Sequence, residues 1–182
     1  MRRFLALLRG VNVGGKTMLK MADLKQALES DGFLSVSTYI QSGNVFFTSE
    51  ATNTQMFCVQ LTKSIEHHFG LHVDVVVYSK DQWQRIITNA PSWWGTDDTR
   101  KHNLLALIEP FDINKVIDAI GVLKPDIEAI EPGEGVIYQS LSLMSFGKTT
   151  SGSLARSPLY KKMTVRNYNT ATKLLSLFEV GV

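Results

Sequence analysis

The chain begins with a short, continuous apolar run followed by a segment with helical spacing. Phe4 to Leu8 is apolar at every position, which is typical of a buried strand. Leu24, Ala27 and Leu28 recur at intervals of three and one residues until Gly32, which predicts an amphipathic helix that ends at the glycine. A strand and then a helix are therefore expected to start the fold.

The next segments predict a hairpin, a second helix and a further strand. Two β-rich runs at 36–41 and 45–48 flank Ser42-Gly43-Asn44, and Gly43-Asn44 suits the centre of a tight turn. Residues 54–69 have helical spacing, and 73–78 is a nearly continuous β-branched run. The resulting order, strand-helix-strand-strand-helix-strand, is that of the split ferredoxin-like unit.

The second half of the chain repeats this pattern loosely, without detectable sequence repetition. We therefore expect an α+β fold of two ferredoxin-like halves, with largely antiparallel sheets and helices packed on them, divided into domains 1–79 and 80–182. The predicted elements are helices at 80–89 and 112–120 and strands at 103–108, 126–130 and 136–144.

The end of the chain predicts a connection at 147–152, a short helix at 154–162 and a final helix capped by Thr164. In that final helix Arg166, either Asn169 or Thr170, and Lys173 would share one polar face. An arginine near a helix N-terminus is unfavourable for folding alone, and either a bound anion or exposure to solvent would relieve it.

A glycine-rich basic loop, Arg9 to Thr17, follows the first predicted strand. Its glycines allow tight turns, and its exposed N–H groups and cations suit an anion, although a flexible connection is the simpler interpretation. The loop also matches the phosphate-binding pattern G-x-x-x-x-G-K-[ST] from Gly10 to Thr17. A P-loop enzyme needs parallel strands, whereas the hairpin at Gly43-Asn44 makes neighbouring strands antiparallel. The topology therefore disfavours a P-loop kinase.

The overall charge is nearly neutral, but its distribution is not. Residues 1–22 contain five basic residues and no acid, and residues 147–173 contain six basic residues and no acid. If the fold brings these segments together they form one positive surface; separately, each is an ordinary solvated face. The single cysteine, Cys58, excludes an intramolecular disulfide and favours a cytoplasmic location, and no apolar stretch is long enough to cross a membrane.

The expected topology places three segments at one edge of the first sheet. These are Arg9 to Thr17, Ser42 to Asn44 and the histidine-containing stretch His67 to His72. Three histidines near one another raise the hypothesis of a metal site. Because no carboxylate or cysteine accompanies them at ligand spacing and cations lie nearby, we expect no metal there.

Three stretches resemble a bacterial family, the domain of unknown function numbered 1697. They are Leu7 to Lys16, Tyr39 to Val45 and Thr164 to Thr170. The resemblance spans essentially the whole chain and implies an α+β fold with two ferredoxin-like halves, but no established activity. Where this chain has Tyr168 the family often has tryptophan, and it frequently lacks the Lys16-Thr17 step, which further weakens the kinase interpretation.

These observations favour binding of a phosphate-containing anion, such as a nucleotide, a nucleic acid or a phosphorylated small molecule. One alternative is an enzyme acting on a phosphorylated or carboxylated small molecule, and another is a protein-interaction module with a basic edge. Catalytic residues, cofactors and the oligomeric state are left unassigned. The predicted anion site combines Arg9, Asn12, Gly14, Gly15, Lys16, Ser42, Asn44, Arg166, Asn167, Asn169 and Lys173.

Overall fold

The computed structural model of the 182-residue chain describes residues 1–14 and 18–179, apart from the side chains of residues 151–153. Within these residues the strands are Arg2–Leu8 (β1), Leu34–Tyr39 (β2), Asn44–Ser49 (β3), Val75–Ser79 (β4), Arg100–Leu107 (β5), Glu128–Pro132 (β6), Val136–Ser142 (β7) and Met163–Asn167 (β8). The helices are Met21–Ser30 (α1), Thr54–Phe69 (α2), Lys80–Thr88 (α3), Ile113–Ile120 (α4), Ser151–Arg156 (α5) and Tyr168–Glu179 (α6), with short 3-10 turns at Phe146–Lys148 and Pro158–Lys162.

The strands form two four-stranded sheets with the same connectivity. The first has the order β2-β3-β1-β4, and the second has the order β6-β7-β5-β8. All strand pairings among the described residues are antiparallel. This confirms the expected α+β fold with two ferredoxin-like halves.

The chain divides into two compact units. The first comprises residues 1–84 together with the end of α6 from Leu174 onward, and the second comprises Arg85–Lys173. The last helix therefore contributes residues to both units. The division into domains 1–79 and 80–182 stays a prediction.

The core of the first unit lies between its sheet and helices α1 and α2. Leu24 and Leu28 of α1 and Leu61 and Ile65 of α2 are fully buried against the sheet. The Asn53 side chain accepts the N–H of Met56 at 3.1 Å and so caps the start of α2. The helix ends at Gly70, which has a φ of 64°.

The core of the second unit lies between its sheet, α4 and α5. Its buried apolar residues are Leu105, Leu107, Val116, Ile120, Ile137, Leu154 and Met163. Helix α4 begins where the Asp112 carboxylate accepts the N–H groups of Asn114 and Lys115, at 3.0 and 3.4 Å.

The structure corrects the expected end of the chain. Thr164 does not cap a helix, because it lies within β8, where it pairs with Ala106 of β5. The last helix begins four residues later, and the Asn167 side chain accepts the N–H of Thr170 at 2.8 Å. The expected helix at 154–162 is present only in part, since α5 spans Ser151–Arg156 and a 3-10 turn follows at Pro158–Lys162. Thr164 is part of a strand rather than a helix cap because residues 163–167 pair with β5, which keeps their backbone extended.

Candidate functional site

The loop after β1 is held closed by Asn12. Its side-chain Nδ2 donates to the carbonyl of Leu19 and to the carbonyl of Gln41, both at 2.8 Å, and its Oδ1 accepts the N–H of Leu19 at 2.8 Å. Asn12 itself has a φ of 56°, in the left-handed region. These hydrogen bonds join the start of the loop to its end and to the β2–β3 turn.

The β2–β3 turn packs directly on the same loop. The N–H of Leu8 donates to the carbonyl of Gly43 at 2.8 Å. A Cβ atom at Gly43 would lie 2.5 Å from Cγ2 of Val11 and 2.7 Å from Cβ of Leu8. The fully buried Asn44 donates through Nδ2 to the carbonyl of Tyr39 and to Oγ of Ser42, both at 3.0 Å. The expectation that the loop and the turn are neighbours is confirmed.

Arg9 is the cation at the entrance to this loop. Its N–H donates to the carbonyl of Asp74 at 2.9 Å, which fixes the loop beside the start of β4. Its side chain is half-buried, and its Nε atom is buried without a hydrogen-bond partner among the described residues. Gly14 is exposed with a φ of 63°, whereas Gly15 and Lys16 of the predicted site lie outside the described residues.

Two histidines of the predicted edge, His68 and His72, pair with separate carboxylates. His68 Nε2 lies 3.1 Å from Asp31 Oδ1 at the end of α1, whereas His72 Nε2 lies 3.8 Å from Asp74 Oδ1. In the described part of the chain, no group of three or more His, Cys, Asp or Glu side chains is placed to hold a metal ion. Cys58 is partly buried, and that burial raises the pKa of its thiol.

The remaining predicted residues lie in the second unit or at its boundary. Arg166 is buried in β8, where its Nη1 donates to Oγ1 of Thr164 and to the carbonyl of Val165, both at 2.9 Å. Burial lowers the pKa of Arg166 to about 10, which leaves it charged at neutral pH. The expectation that it shares an exposed helical face with Asn169 and Lys173 is wrong, because those two residues lie on α6.

Asn167, Tyr168 and Asn169 line an open cleft of about 730 Å³ within the second unit. The opposite wall is the loop before β5 and the start of that strand. There His102 Nε2 lies 2.9 Å from the Asp97 carbonyl, and the Asp97 carboxylate accepts the Thr99 hydroxyl at 2.6 Å. The Thr99 hydrogen bonds lower the pKa of Asp97. The cleft thus presents both signs of charge.

Sequence reasoning did not identify the residues of the opposite wall. They lie in a polar loop with no recognisable motif, and only the topology brings them to the start of α6. They are Asp97, Asp98, Arg100, Lys101 and His102. The Tyr168 ring packs edge-on against the Trp94 ring, with centroids 4.8 Å apart, so it forms part of the local core as well as of the cleft.

Comparison with known proteins supports the family suggested by the three sequence stretches. The model of the family described as "Protein of unknown function (DUF1697)" matches residues 1–138. The chain belongs to the DUF1697 family. A solved structure of a conserved bacterial protein from Streptococcus pneumoniae is similar to this DUF1697 chain, with a TM-score of 0.84 and 30% sequence identity over 97% of this chain and 98% of that one.

A comparison with curated proteins gave no significant match. Neither the name of the family nor that of the Streptococcus pneumoniae protein specifies an activity. Among the residues described for this DUF1697 chain, none of the helices has the length and apolar character needed to cross a membrane.

Proposed function

We propose that the loop following β1 binds a phosphate-containing anion, namely a nucleotide, a nucleic acid or a phosphorylated small molecule. The observation that carries this proposal is the half-buried Arg9 side chain, whose buried Nε has no partner among the residues described. Leaving a buried donor unsatisfied costs about 1–3 kcal/mol, and more when the group is charged. An anion beside Arg9 would satisfy that donor with a charge-assisted hydrogen bond.

The backbone of the loop supports the same proposal. Its φ angles are positive at Gly10, Asn12 and Gly14 but not at the intervening Val11 and Val13. Alternation of this kind turns successive N–H groups toward one side, which is the arrangement that binds anions in backbone nests. Because the Asn12 side chain hydrogen-bonds to Leu19 and Gln41, the described start of the loop, residues 9–14, is held in place without a ligand.

The predicted site residues therefore take different roles in this proposal. Arg9 supplies charge, and Lys16 is a second cation of the same loop. Asn12 and Asn44 shape the loop, since their side chains hydrogen-bond to protein groups. The contribution of Arg166, Asn167, Asn169 and Lys173, and the joining of the two acid-free segments into one positive surface, stay predictions.

The experiment compares binding of inorganic pyrophosphate and ATP to the wild-type chain and to an Arg9→Gln variant by isothermal titration calorimetry. Lys115→Gln is the matched control, because Lys115 is an exposed cation of α4 and its loss changes the net charge equally. We expect a loss of affinity of roughly 10-fold or more for Arg9→Gln, from removing a hydrogen bond to a charged group. Equal affinities for the two variants would refute the proposal.

The salt dependence separates the ligand classes. A nucleic acid releases counterions on binding, so log K for a single-stranded oligonucleotide should fall linearly with log salt, and the slope should be smaller in Arg9→Gln. The affinity for a single nucleotide should depend less steeply on salt concentration. Release of phosphate from ATP by the wild-type chain, lost in Arg9→Gln, would instead favour the enzymatic alternative.

A further inference from the structure

An open cavity of about 570 Å³ lies within the first unit. Its walls are the turn at 31–33 that ends α1, the end of β3 with the residues just after it, and one face of α2. The volume falls in the range of about 300–1,000 Å³ that is usual for small-molecule pockets. No described residue of the loop after β1 lines this cavity, so it is separate from the proposed anion site.

The wall formed by α2 is largely polar. Residues that are three and four positions apart share one face of a helix. Four polar residues of the cavity follow this spacing along α2, namely Gln60, Lys63, Ser64 and His67. Lys63 is exposed and forms no ion pair with any residue that the structure describes. Its ammonium group is therefore available to a ligand.

The turn that ends α1 contributes a carboxylate to the cavity. The N–H of Asp31 donates to the carbonyl of Ala27 at 3.1 Å, which fixes this residue at the end of the helix. His68 Nε2 lies 3.1 Å from Asp31 Oδ1. The nearby Ser64 hydroxyl, followed by the His68 ring, lowers the pKa of Asp31 because each favours the charged form. Asp31 is therefore ionised at neutral pH.

The position of this carboxylate is unfavourable for folding alone. Asp31 is the C-cap residue of α1, and the last turn of that helix contains no basic residue. Because the C-terminal end of a helix carries a partial negative charge, a carboxylate there lowers stability unless a cation lies close to it. In addition to His68, an ammonium group of a ligand would provide such a cation.

The lining also includes an apolar area. Phe33 and Phe57 both line the cavity, and the ring of each packs edge-on against the Phe47 ring, with centroids 5.1 Å apart. Phe33 is only partly buried, and Met56, at the start of α2, is 39% exposed. An apolar group of a ligand would remove this surface from water.

We propose that this cavity binds a free α-amino acid with an apolar side chain. The ammonium group of the ligand pairs with Asp31, and its carboxylate pairs with Lys63. Its side chain packs on the exposed parts of Phe33 and Met56. Asp31 and Lys63 form no ion pair with each other, so both remain available to the ligand. A ligand with only one sign of charge would use only one of these two groups.

The test is an NMR titration of the ¹⁵N-labelled full chain with L-phenylalanine and two analogues. Phenethylamine lacks the carboxylate, and 3-phenylpropionate lacks the ammonium group. The backbone signals of residues 31–33 and 60–67 should shift on addition of L-phenylalanine. Its affinity should exceed that of either analogue by roughly 10-fold or more, because each analogue lacks one hydrogen-bonded ion pair. Unchanged signals, or an analogue that binds as tightly, would overturn the proposal.

Two charge variants test which group of the ligand each side chain binds. Lys63→Gln should weaken binding of L-phenylalanine and 3-phenylpropionate but not of phenethylamine. Asp31→Asn should weaken binding of L-phenylalanine and phenethylamine but not of 3-phenylpropionate. The matched controls are Lys115→Gln and Asp23→Asn, at exposed helical residues outside the cavity, and they should bind all three compounds as the wild type does. The reverse pattern of losses would refute the assigned pairing.

A third variant leaves both charged groups in place. Ala51 is exposed and lines the cavity, so Ala51→Trp should block binding of all three compounds without removing Asp31 or Lys63. Binding of L-phenylalanine that persists in Ala51→Trp would show that the compound does not occupy this cavity. Arg9→Gln should bind L-phenylalanine as the wild type does, which distinguishes failure of this proposal from failure of the anion loop.

Discussion

Glu128 and Thr150 are joined by two short hydrogen bonds. Oε2 of Glu128 accepts the N–H of Thr150 at 2.7 Å and its hydroxyl at 2.8 Å, while Oε1 accepts the N–H of Lys124 at 3.0 Å. Glu128 is only 1% exposed. One buried carboxylate thus connects the start of β6 to the residue that precedes α5, and so positions the start of this short helix.

Replacing Glu128 should destabilise the chain strongly. Glu128→Ala removes the acceptor of three hydrogen bonds and leaves the part-buried N–H groups of Lys124 and Thr150 without this partner. We expect a loss of about 2–4 kcal/mol in the free energy of unfolding, measured by urea denaturation. Glu131→Ala, at an exposed glutamate of the same strand, should change stability by less than about 0.5 kcal/mol. Similar losses in both variants would contradict this role.

A second prediction concerns Gly43, where backbone conformation and close approach coincide. Its φ is 73°, and a Cβ would lie within 2.7 Å of two side chains of the first unit. Gly43→Ala should therefore lower the free energy of unfolding in two ways. Holding an alanine in the left-handed conformation should cost about 1–2 kcal/mol, and the clash of its Cβ with the loop should cost about 1–3 kcal/mol more.

Gly32 provides the control for Gly43. Its φ is also positive, at 91°, but a Cβ there would meet nothing within 4 Å. Gly32→Ala should lose only the conformational part, about 1–2 kcal/mol by urea denaturation. If the two alanine variants were equally stable, close packing of the turn against the loop would not contribute to folding.

The side chain of Asn12 gives a third prediction. Asn12→Ala removes the hydrogen bonds to Leu19 and Gln41 and should cost about 2 kcal/mol of unfolding free energy. Asn12→Asp keeps the acceptor for the Leu19 N–H but places a carboxylate oxygen against the carbonyls of Leu19 and Gln41, so it should be less stable than Asn12→Ala. Asn114→Ala, at an exposed helical asparagine, should be close to neutral. The opposite order for the two Asn12 variants would argue against a closed loop.

The sequence predicted the order of elements well and the end of the chain poorly. The long periodic segments, such as 54–69, formed the expected helix because their buried stripe extends over several turns. Residues 163–167 offer only Met163 and Val165 as an alternating pattern, which is too short to outweigh the helical spacing that follows. Their conformation depends on pairing with β5, which is about 60 residues away in the chain.

The roles of the candidate site residues were also only partly predictable from the sequence. Asn12 and Asn44 suggested ligand contacts because polar residues in loops often bind ligands, yet their side chains hydrogen-bond to neighbouring segments. Asn103 and Gln139 carried a signal that was missed, since each is an amide that directly adjoins an apolar run of its strand. A buried polar residue in a strand requires a partner, and only the three-dimensional structure shows that Nδ2 of Asn103 donates to Oε1 of Gln139.

The last prediction is a pH dependence at Tyr138. Its hydroxyl donates to the carbonyl of Ile86 at 2.5 Å, and burial, followed by the carboxylates of Glu131 and Glu134, raises the pKa of Tyr138 to about 12. The ordinary pKa of tyrosine, about 10, applies in the unfolded chain. Between these values the unfolded chain loses the phenol proton while the folded chain keeps it, so the stability contributed by the neutral phenol is lost as pH rises from about 10 to 12.

Tyr138→Phe cannot ionise, so it should lack this part of the alkaline decline. We expect the free energy of unfolding of the wild type to fall more steeply than that of Tyr138→Phe between pH 10 and 12, in parallel urea titrations. The difference between their absorbance titrations at the phenolate band should place the ionisation of Tyr138 near pH 12. A difference titration centred near pH 10, or equal slopes for the two proteins, would mean that Tyr138 is not held neutral by its burial and by its hydrogen bond to Ile86.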